Sequence, residues 1–314
     1  MRALVTGCAG FLGSNLCEYL IKEGYEIVGI DNLCTGKIEN IKDFPKNKFK
    51  FIKADISKNF KVKGEIDEIY NLASPASPLH YQKLSIETMF ANSFGVKNIL
   101  EIARKKDALL LHTSTSEVYG NPLVHPQVES YYGNVNPVGP RACYDESKRF
   151  AEALIMNYHW RHGLKTRIAR IFNTYGPKMS INDGRVIPNF IMQAMRNEPI
   201  TVYGDGSQTR SFCYVSDMIE GLYELIHCDY NLPVNLGNPK ETTIIELANK
   251  IIRLTNSSSK IVHKEMPKDD PERRRPNIEL AKKLIGWEPK VSLEDGLKQT
   301  IAWFERFFAK KQKR

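Results

Sequence analysis

Tyr144 and Lys148 lie four positions apart in residues 141–149, which read Arg-Ala-Cys-Tyr-Asp-Glu-Ser-Lys-Arg. The acidic residues and alanines around them favour a helix, in which residues four apart share one face. A free tyrosine has a pKa of about 10, but a lysine cation about 5 Å away, at an effective dielectric constant of about 20, favours the phenolate by about 3 kcal/mol, or about 2 pK units. The spacing therefore predicts a tyrosine that exchanges a proton with a substrate hydroxyl. The alternative is a helix that carries both residues by coincidence.

A hydroxyl-rich segment precedes this pair. Residues 109–114 read as a central strand, because their apolar character is typical of a parallel strand buried on both faces. Thr115 follows directly, and a hydroxyl at this end of a strand can hydrogen-bond a substrate oxygen and share its proton with the tyrosine. Serines and threonines at strand ends often only form turns. Together with Tyr144 and Lys148, however, the hydroxyl completes a more specific pattern.

A glycine-rich turn lies near the N-terminus, after a short apolar strand at residues 2–6. Residues 7–13, Gly-Cys-Ala-Gly-Phe-Leu-Gly, lead into a helical pattern, and a second apolar strand at 26–30 ends at Asp31. This order is typical of dinucleotide sites, where the free N–H groups and the dipole of a helix N-terminus favour phosphate. Asp31 would accept hydrogen bonds from the ribose hydroxyls and repel a 2′-phosphate, which favours NAD over NADP. Lys37, close by in sequence, is the one feature that favours NADP.

Strand and helix patterns alternate through the first half of the chain. Strands are expected at 49–53, 68–72 and 165–170, and helices at 86–104 and 142–162. The alternation predicts an α/β fold, a doubly wound parallel sheet of the Rossmann type, with a smaller C-terminal α/β substrate domain. The domain boundaries are predicted as follows: residues 1–173 with the return segment 211–236 form the NAD-binding domain, and 174–210 with 237–314 form the substrate-binding domain.

Composition limits the classes of partner. The 314 residues are 42% hydrophobic and 10% aromatic, and 45 Lys+Arg against 36 Asp+Glu give a net charge of +9. The sequence has no basic stripe interleaved with aromatic residues, the pattern that would indicate nucleic-acid binding. An anionic metabolite as substrate explains the excess positive charge. No apolar run reaches the roughly 20 residues that span a bilayer. The six cysteines and the scattered histidines show no metal-ligand spacing. We therefore expect a cytoplasmic protein with no metal and no membrane contact.

Taken together, the motifs resemble the extended short-chain dehydrogenase/reductase family and, within it, the UDP-glucuronate decarboxylases. The similarity covers nearly the whole chain and includes LVTGCAGFLGSNL, NLASPASP, STSEVYG, NPVGPRACYDESKR, RIFNTYGP, NDGRV, VYGDGSQTRSF, VNLGNP, DDPERRRPN and GWEPKVSLEDGL. ASPASP, STSEVYG and GPRACYDESKR in combination are more typical of the decarboxylases than of the family at large. Cys8 departs from the family, which usually has glycine there, and a small thiol should be tolerated.

The resemblance implies a reaction on UDP-glucuronate with NAD as cofactor. Tyr144 would take the proton of the sugar 4-hydroxyl while C4 gives hydride to NAD, with Thr115 bridging that hydroxyl and Lys148 holding the phenolate and the nicotinamide ribose. Carbon dioxide would leave the resulting β-keto acid, C5 would be protonated, and NADH would return its hydride to give UDP-xylose. Glu117 would orient the sugar or a water. Arg274 would hold the diphosphate or the carboxylate, although residues 273–275 are all arginines and sequence leaves open which of them faces the site.

The remaining predicted contacts come from the turns and strand ends that an open α/β sheet brings to one edge. A homodimer is implied by the resemblance alone. The catalytic set is Tyr144, Lys148, Thr115, Glu117 and Arg274. The predicted cofactor contacts are Gly7, Gly10, Phe11, Leu12, Gly13, Asp31, Asn32, Thr35, Gly36, Asp55, Ile56, Leu72 and Ser74, together with Tyr144 and Lys148. The predicted substrate contacts are Pro75, Asn173, Arg185, Val186, Tyr203, Gln208, Arg210 and Arg274.

Three other functions remain open. A 4,6-dehydratase needs an adjacent acid and base, and would carry Asp-Glu where this chain has Ser116-Glu117. A 4-epimerase needs space for the keto sugar to turn over, which a sequence cannot measure, so epimerisation is the stronger rival. A non-catalytic NAD-sensing or scaffold protein is disfavoured because the catalytic residue types and Asp31 are all present.

Overall fold

A computed structural model describes residues 1–265 and 273–312, with the backbone alone from residue 307 onward. Its centre is a parallel sheet of seven strands in the order β11-β6-β5-β4-β1-β2-β3. The order reverses between β1 and β4, which is the switch point of a doubly wound sheet and confirms the predicted fold class. The strands are β1 (Arg2–Thr6), β2 (Glu26–Asp31), β3 (Phe49–Lys53), β4 (Glu68–Asn71), β5 (Leu109–Thr115), β6 (Thr166–Ile171) and β11 (Pro233–Leu236).

Helices cover both faces of this sheet. Successive strand residues point to opposite faces, so Ala3 and Val5 join the apolar cluster that contains Leu16, whereas Leu4 joins the cluster that contains Ile99. The first face carries α1 (Phe11–Lys22) and α7 (Val215–His227), and the second carries α4 (Val96–Lys106) and α5 (Ala142–His162). Burial on both faces explains why the strands are apolar throughout.

The carboxyl ends of the central strands meet at one edge. Thr6 pairs with Asn71, and Asn71 with His112, in the parallel ladders of β1, β4 and β5. The Thr6 hydroxyl donates to the Asn71 side-chain oxygen at 2.7 Å. The same hydroxyl accepts the backbone N–H groups of Leu72 and Ala73 at 3.1 and 3.2 Å. These bonds hold the loop after β4 against the glycine turn after β1.

A smaller α/β region lies at the carboxyl edge of the sheet. It contains a two-stranded sheet, β8 with β13, and a three-stranded sheet in the order β12-β9-β14, while β7 pairs with β10. The domain boundaries themselves stay a prediction. The elements are β7 (Thr174–Tyr175), α6 (Val186–Met195), β8 (Ile200–Tyr203), β9 (Thr209–Ser211), β10 (Cys213–Tyr214), β12 (Glu241–Thr243), α8 (Ile244–Leu254), β13 (Ile261–Lys264), β14 (Arg273–Arg274), α9 (Glu279–Ile285) and α10 (Leu293–Gln312).

The helix expected over 86–104 is interrupted. The structure has α2 (Pro78–Lys83), α3 (Ser85–Phe90), a π-helical turn at Ala91–Gly95 and then α4. Within that turn the buried Asn92 amide donates to the hydroxyls of Ser74 and Ser147 at 3.1 and 3.0 Å. π-helical turns are frequent at functional sites, and here Asn92 ties the turn to the loop after β4 and to α5.

No helix in residues 1–265 and 273–312 is both long and apolar enough to span a lipid bilayer. Over the same residues, no three His, Cys, Asp or Glu side chains are grouped so that they could hold a metal ion.

Candidate active site

A cavity of about 780 Å³ lies along the carboxyl edge of the central sheet. It extends from the glycine turn after β1, past the ends of β4 and β5, to the loops of the smaller region. Of the predicted contacts, all but Gly36 line it. Those lining residues are Gly7, Gly10, Phe11, Leu12, Gly13, Asp31, Asn32, Thr35, Asp55, Ile56, Leu72, Ser74, Pro75, Thr115, Glu117, Tyr144, Lys148, Asn173, Arg185, Val186, Tyr203, Gln208, Arg210 and Arg274.

The glycine turn has the geometry of a phosphate cradle. Gly7 has a φ of +68°, which favours glycine, and a Cβ on Gly13 would lie 2.0 Å from the Gly7 carbonyl oxygen. Gly10 caps α1 without a side-chain hydrogen bond, and no acidic residue occupies the first turn of that helix. The N–H groups at the start of α1 are therefore open to an anion, as the pyrophosphate of a dinucleotide requires.

Asp31 is held at the end of β2 with its carboxylate toward the same turn. It is 8% exposed and accepts the N–H groups of Ala9 at 3.0 Å and Leu33 at 2.7 Å. Burial raises the Asp31 pKa, and these two hydrogen bonds oppose the rise. Gly36 packs against Asp31, since a Cβ on residue 36 would lie 2.8 Å from the Asp31 carboxylate. Lys37 also lines the cavity, and its ammonium lies 3.4 Å from the Ser180 hydroxyl.

Tyr144 and Lys148 lie on one face of α5, as predicted, and both are buried. The Lys148 ammonium is 5.9 Å from the centre of the Tyr144 ring and donates to the carbonyl oxygen of Thr113 at 2.8 Å. Burial lowers the pKa of Lys148 to about 7, against the attraction of Glu152. The central strand therefore supplies the acceptor that orients this lysine.

The effect of Lys148 on the tyrosine was predicted wrongly for the protein alone. Burial raises the pKa of Tyr144, and the hydrogen bond with Thr115 is the largest influence that lowers it. The charge of Glu117 also raises this pKa, while that of Arg185 lowers it. A lysine whose own pKa is near neutrality carries too little charge to dominate. The protein by itself thus holds Tyr144 as a phenol. Further positive charge in the site would lower the pKa of Tyr144 and favour the phenolate.

Glu117 is clamped between two arginines. It lies in a 3₁₀ turn, Ser116–Tyr119, that begins where the Thr115 hydroxyl accepts the Glu117 N–H at 3.2 Å. One carboxylate oxygen accepts from Arg274 and the other from Arg141. Burial would raise the Glu117 pKa, but Arg274 and Arg141 lower it to about 2. The carboxylate therefore stays ionised at every physiological pH.

Of the three adjacent arginines, Arg274 is the one that faces the cavity. It is 2% exposed and also donates to the carbonyl oxygen of Gly120 at 2.8 Å. Arg273 is exposed to solvent. Arg275 turns the other way and lies 3.3 Å from the Glu241 carboxylate. Successive side chains of an extended segment point in opposite directions, so along β14 and the residue after it Arg274 points away from Arg273 and Arg275.

Three contributors to the site were not predicted. Arg141 clamps Glu117, Asp183 pairs with Arg185 through a second contact of 2.9 Å, and the ring of Tyr81 stacks on that of Tyr144. Arg141 stands three positions before Tyr144, and this closeness to the predicted catalytic tyrosine was the signal that could have identified it. Asp183 stands two positions before its partner Arg185, so the local sequence offered a signal for it as well. Tyr81 belongs to α2 and stacks on a ring 63 positions later in the chain, so no local pattern identifies it.

Comparison with known proteins agrees with this geometry. A family model described as GDP-mannose 4,6 dehydratase matches residues 4–300. UDP-glucuronic acid decarboxylase 6 of Arabidopsis thaliana is 52% identical over 95% of this chain and 87% of that protein. UDP-glucuronic acid decarboxylase 1 of Danio rerio is 50% identical over 97% of this chain and 73% of its own length.

Solved structures with the same fold bind nucleotide sugars and NAD. UDP-glucuronic acid 4-epimerase of Bacillus cereus, in complex with UDP-glucuronic acid and NAD, has a TM-score of 0.86 and 28% identity, over 98% of this chain and 100% of that chain. UDP-glucose 4-epimerase of Thermotoga maritima, with UDP-glucose, has a TM-score of 0.89 and 28% identity over the same shares. The identity to the decarboxylases is much higher, and the chain therefore belongs to the UDP-glucuronic acid decarboxylase family of extended short-chain dehydrogenases/reductases.

Proposed function

We propose that the protein converts UDP-glucuronate to UDP-xylose and carbon dioxide through a 4-keto sugar, with NAD reduced and regenerated in each turnover. One observation supports this most strongly. The proton-transfer set of Tyr144, Thr115 and Lys148 shares a cavity with a carboxylate clamped by two arginines, in a chain about half identical to named UDP-glucuronic acid decarboxylases.

NAD, when bound, supplies the hydride acceptor that oxidises C4 and the donor that later reduces it. The glycine turn and the open start of α1 would hold its pyrophosphate, and Asp31 would accept hydrogen bonds from its adenosine ribose. Asp55 and Ile56 line the cavity after β3 and would flank the adenine. Lys148, fixed by the Thr113 carbonyl oxygen, would bind the second ribose.

Tyr144 carries the proton transfer at the sugar 4-hydroxyl. Its hydroxyl is hydrogen-bonded to Thr115, so the two oxygens form a pair aimed at one substrate oxygen. Tyr144 takes the proton of that oxygen when C4 is oxidised and gives it back when C4 is reduced. A cationic nicotinamide ring beside the buried Tyr144 would lower the pKa of this tyrosine and favour the phenolate, an effect that Lys148 alone does not produce.

Loss of carbon dioxide follows from the position of the new carbonyl group. A ketone at C4 makes the C6 carboxylate that of a β-keto acid, and cleavage of the C5–C6 bond leaves an enolate across C4 and C5. The hydroxyls of Tyr144 and Thr115, which would already bond O4, would stabilise the negative charge there.

Basic residues would bind the anionic parts of the substrate. Arg185 directly precedes α6 at its N-cap position, and its guanidinium is held by Asp183, so it is pre-oriented. Arg210 and Gln208 line the cavity from β9 and the loop before it, and Tyr203 from the end of β8. We assign this end of the cavity to the UDP group. Arg274, with Glu117, borders the end nearest Tyr144 and would orient the sugar and its carboxylate.

Proton NMR of the purified protein with UDP-glucuronate and NAD tests this function. We expect the anomeric signal of UDP-xylose to grow without net accumulation of NADH. Formation of UDP-galacturonate would instead establish the 4-epimerase, which is the second candidate because two solved 4-epimerases share the fold at TM-scores of 0.86 and 0.89. An unchanged spectrum would reject both.

We further propose a homodimer formed through the helices of the second sheet face. Ile86, Met89 and Phe90 of α3, Phe94 of the π turn and Phe150 of α5 are between 42% and 56% exposed. The Phe90 and Phe94 rings contact each other, with centroids 5.5 Å apart, so they form one apolar patch. Such a patch favours association with a second copy.

Sedimentation velocity tests the dimer. The molar mass obtained for the wild-type protein should be twice the 35.9 kDa of one chain. Phe94→Asp should shift it to the monomer, whereas Val138→Asp, at a position 91% exposed elsewhere, should not. Monomeric wild-type protein would reject the proposal. The six free thiols favour a reducing compartment, and on that ground we propose the cytoplasm.

A further inference from the structure

A second cavity of about 220 Å³ lies behind the clamped carboxylate. Glu117, Arg141 and Arg274 line both this cavity and the main one, so they form the wall between the two. Exposed asparagines, including Asn121 and Asn134, line it toward the surface. A space of this size and polarity holds several water molecules. Solvent can thus approach this wall of the active site from the side of the exposed asparagines.

Asp145 faces this second cavity from α5. It is 5% exposed, and its Oδ1 has no hydrogen-bond partner in the described part of the chain. Its Oδ2 is 3.9 Å from the Arg141 guanidinium, too far for a hydrogen bond. A buried carboxyl oxygen without a partner is costly when ionised, so the geometry favours a protonated carboxyl group in the lining of the second cavity.

The charged and titratable groups around Asp145 act in opposite directions. Burial and the charge of Glu117 raise the pKa of Asp145, Arg141 and Arg274 oppose the rise, and the net pKa is about 7. At neutral pH this carboxyl group therefore exists in both forms, as a proton donor requires. The groups that interact with it electrostatically are Tyr81, Glu117, Arg141, Cys143, Tyr144, Glu146 and Arg274.

The reaction needs a proton that the groups already assigned do not supply. This step rests on the function proposed above, in which decarboxylation leaves an enolate that must take a proton at C5. Glu117 is held ionised by its two arginines, and the arginines themselves do not release protons. Tyr144 serves O4. On this wall, Asp145 is the carboxyl group that carries an exchangeable proton.

We propose that Asp145 supplies the C5 proton through water in the second cavity. The proton leaves the Asp145 carboxyl group, passes through water beside Glu117 and forms the new C5–H bond. The electron pair of the C4–C5 double bond forms that bond, and the enolate oxygen becomes the C4 ketone. Solvent entering between the asparagines returns a proton to Asp145. Asp145 acts through water and does not touch the sugar.

Deuterium incorporation tests this role. In D₂O, wild-type protein should place deuterium at one of the two C5 positions of UDP-xylose, read by proton NMR. With Asp145→Asn we expect turnover to fall by about tenfold or more, the KM for UDP-glucuronate to change less than twofold, and deuterium to distribute over both positions. We expect wild-type turnover to decline above neutral pH as Asp145 loses its proton, and this decline should be absent from Asp145→Asn. Glu146→Gln, at the neighbouring half-buried carboxylate of α5, is the matched control and should keep the turnover and the stereospecific labelling of wild type at neutral pH.

The outcomes separate the two proposals. If wild-type protein forms no UDP-xylose, the proposed function fails. If it does, and Asp145→Asn keeps wild-type turnover, pH profile and stereospecific labelling, the role of Asp145 fails alone. Should Asp145→Asn not fold, Val135→Phe, which fills the second cavity, must give the same loss of stereospecificity. Infrared titration of the protein without substrate gives a separate check, since a protonated carboxyl band that titrates near neutrality must be absent from Asp145→Asn.

Discussion

The ring of Tyr81 lies parallel to the ring of Tyr144, with the two centroids 5.0 Å apart and an interplanar angle of 3°. Tyr81 belongs to α2, the short helix that follows the proline-containing loop after β4, and it is 1% exposed. Its carbonyl oxygen lies 3.5 Å from the thiol of Cys143, the residue before Tyr144. The loop after β4 therefore sets the position of the catalytic ring through a stacked partner.

Removing the stacked ring should misplace the proton-transfer group. We expect Tyr81→Leu to lower kcat by about 10- to 100-fold, because displacements near 1 Å cost this much in a preorganised site. Tyr81→Phe is the matched control and should keep kcat within about twofold, since the ring remains and the Tyr81 hydroxyl has no hydrogen-bond partner in the described residues. Steady-state kinetics with UDP-glucuronate decides the matter. Equal activity of the two variants would remove stacking from the explanation.

Removal of the Tyr144 hydroxyl should separate binding from chemistry. Tyr144→Phe keeps the ring stacked on Tyr81 but loses the group bonded to Thr115. Turnover should fall by about 10²- to 10⁴-fold, while isothermal titration should show NAD affinity within about threefold of wild type, because the cradle at α1 is untouched. Substantial turnover by this variant would show that another group transfers the proton.

The arginines of β14 offer a matched pair of substitutions. Arg274→Ala removes one of the two cations on Glu117, so UDP-glucuronate binding should weaken by tenfold or more, a change worth about 1.4 kcal/mol. NAD binding should change little. Arg273→Ala, at the exposed neighbouring position, should match wild type in both. Calorimetric titration with each ligand gives the comparison, and equal losses for the two ligands after Arg274→Ala would point to a general structural role.

Buried Lys148 makes stability depend on pH. Its folded-state pKa of about 7 is below the value of about 10.4 in an unfolded chain, so between these values the unfolded state holds a proton that the folded state lacks. The destabilisation is thus complete below about pH 7 and is lost as pH rises toward 10. Lys148→Met should stabilise the protein by up to about 4 kcal/mol at pH 6.5 and by about half of that at pH 9.

Urea unfolding of both proteins at the two pH values measures this difference, with NAD and substrate omitted. Other titrating groups are common to wild type and Lys148→Met, so their contributions cancel. A stability difference that is the same at pH 6.5 and pH 9 would mean that Lys148 is charged in the folded protein throughout.

Local sequence patterns determined the main elements and one edge of the site. The apolar strands, the glycine turn and the helix at 142–162 all agree with the structure, with strand ends shifted by a residue or so. They could be predicted because hydrophobic periodicity, glycine spacing and helix propensity act over a few residues. Since parallel strands share a carboxyl edge, the residues that follow them, such as Thr115 and Asn173, could be assigned to one cavity.

Tertiary structure decided the electrostatics and the supports of that site. The π turn at Ala91–Gly95 depends on a buried Asn92 reaching two distant serines, and the ionisation of Glu117 depends on Arg274, which is 157 residues away. The spacing of Tyr144 and Lys148 was readable, but the pKa of each depends on burial among groups from other strands and helices. Desolvation and long-range pairing arise only when distant segments pack together, and for this reason the sequence predicted which residues form the site but not the charges they carry.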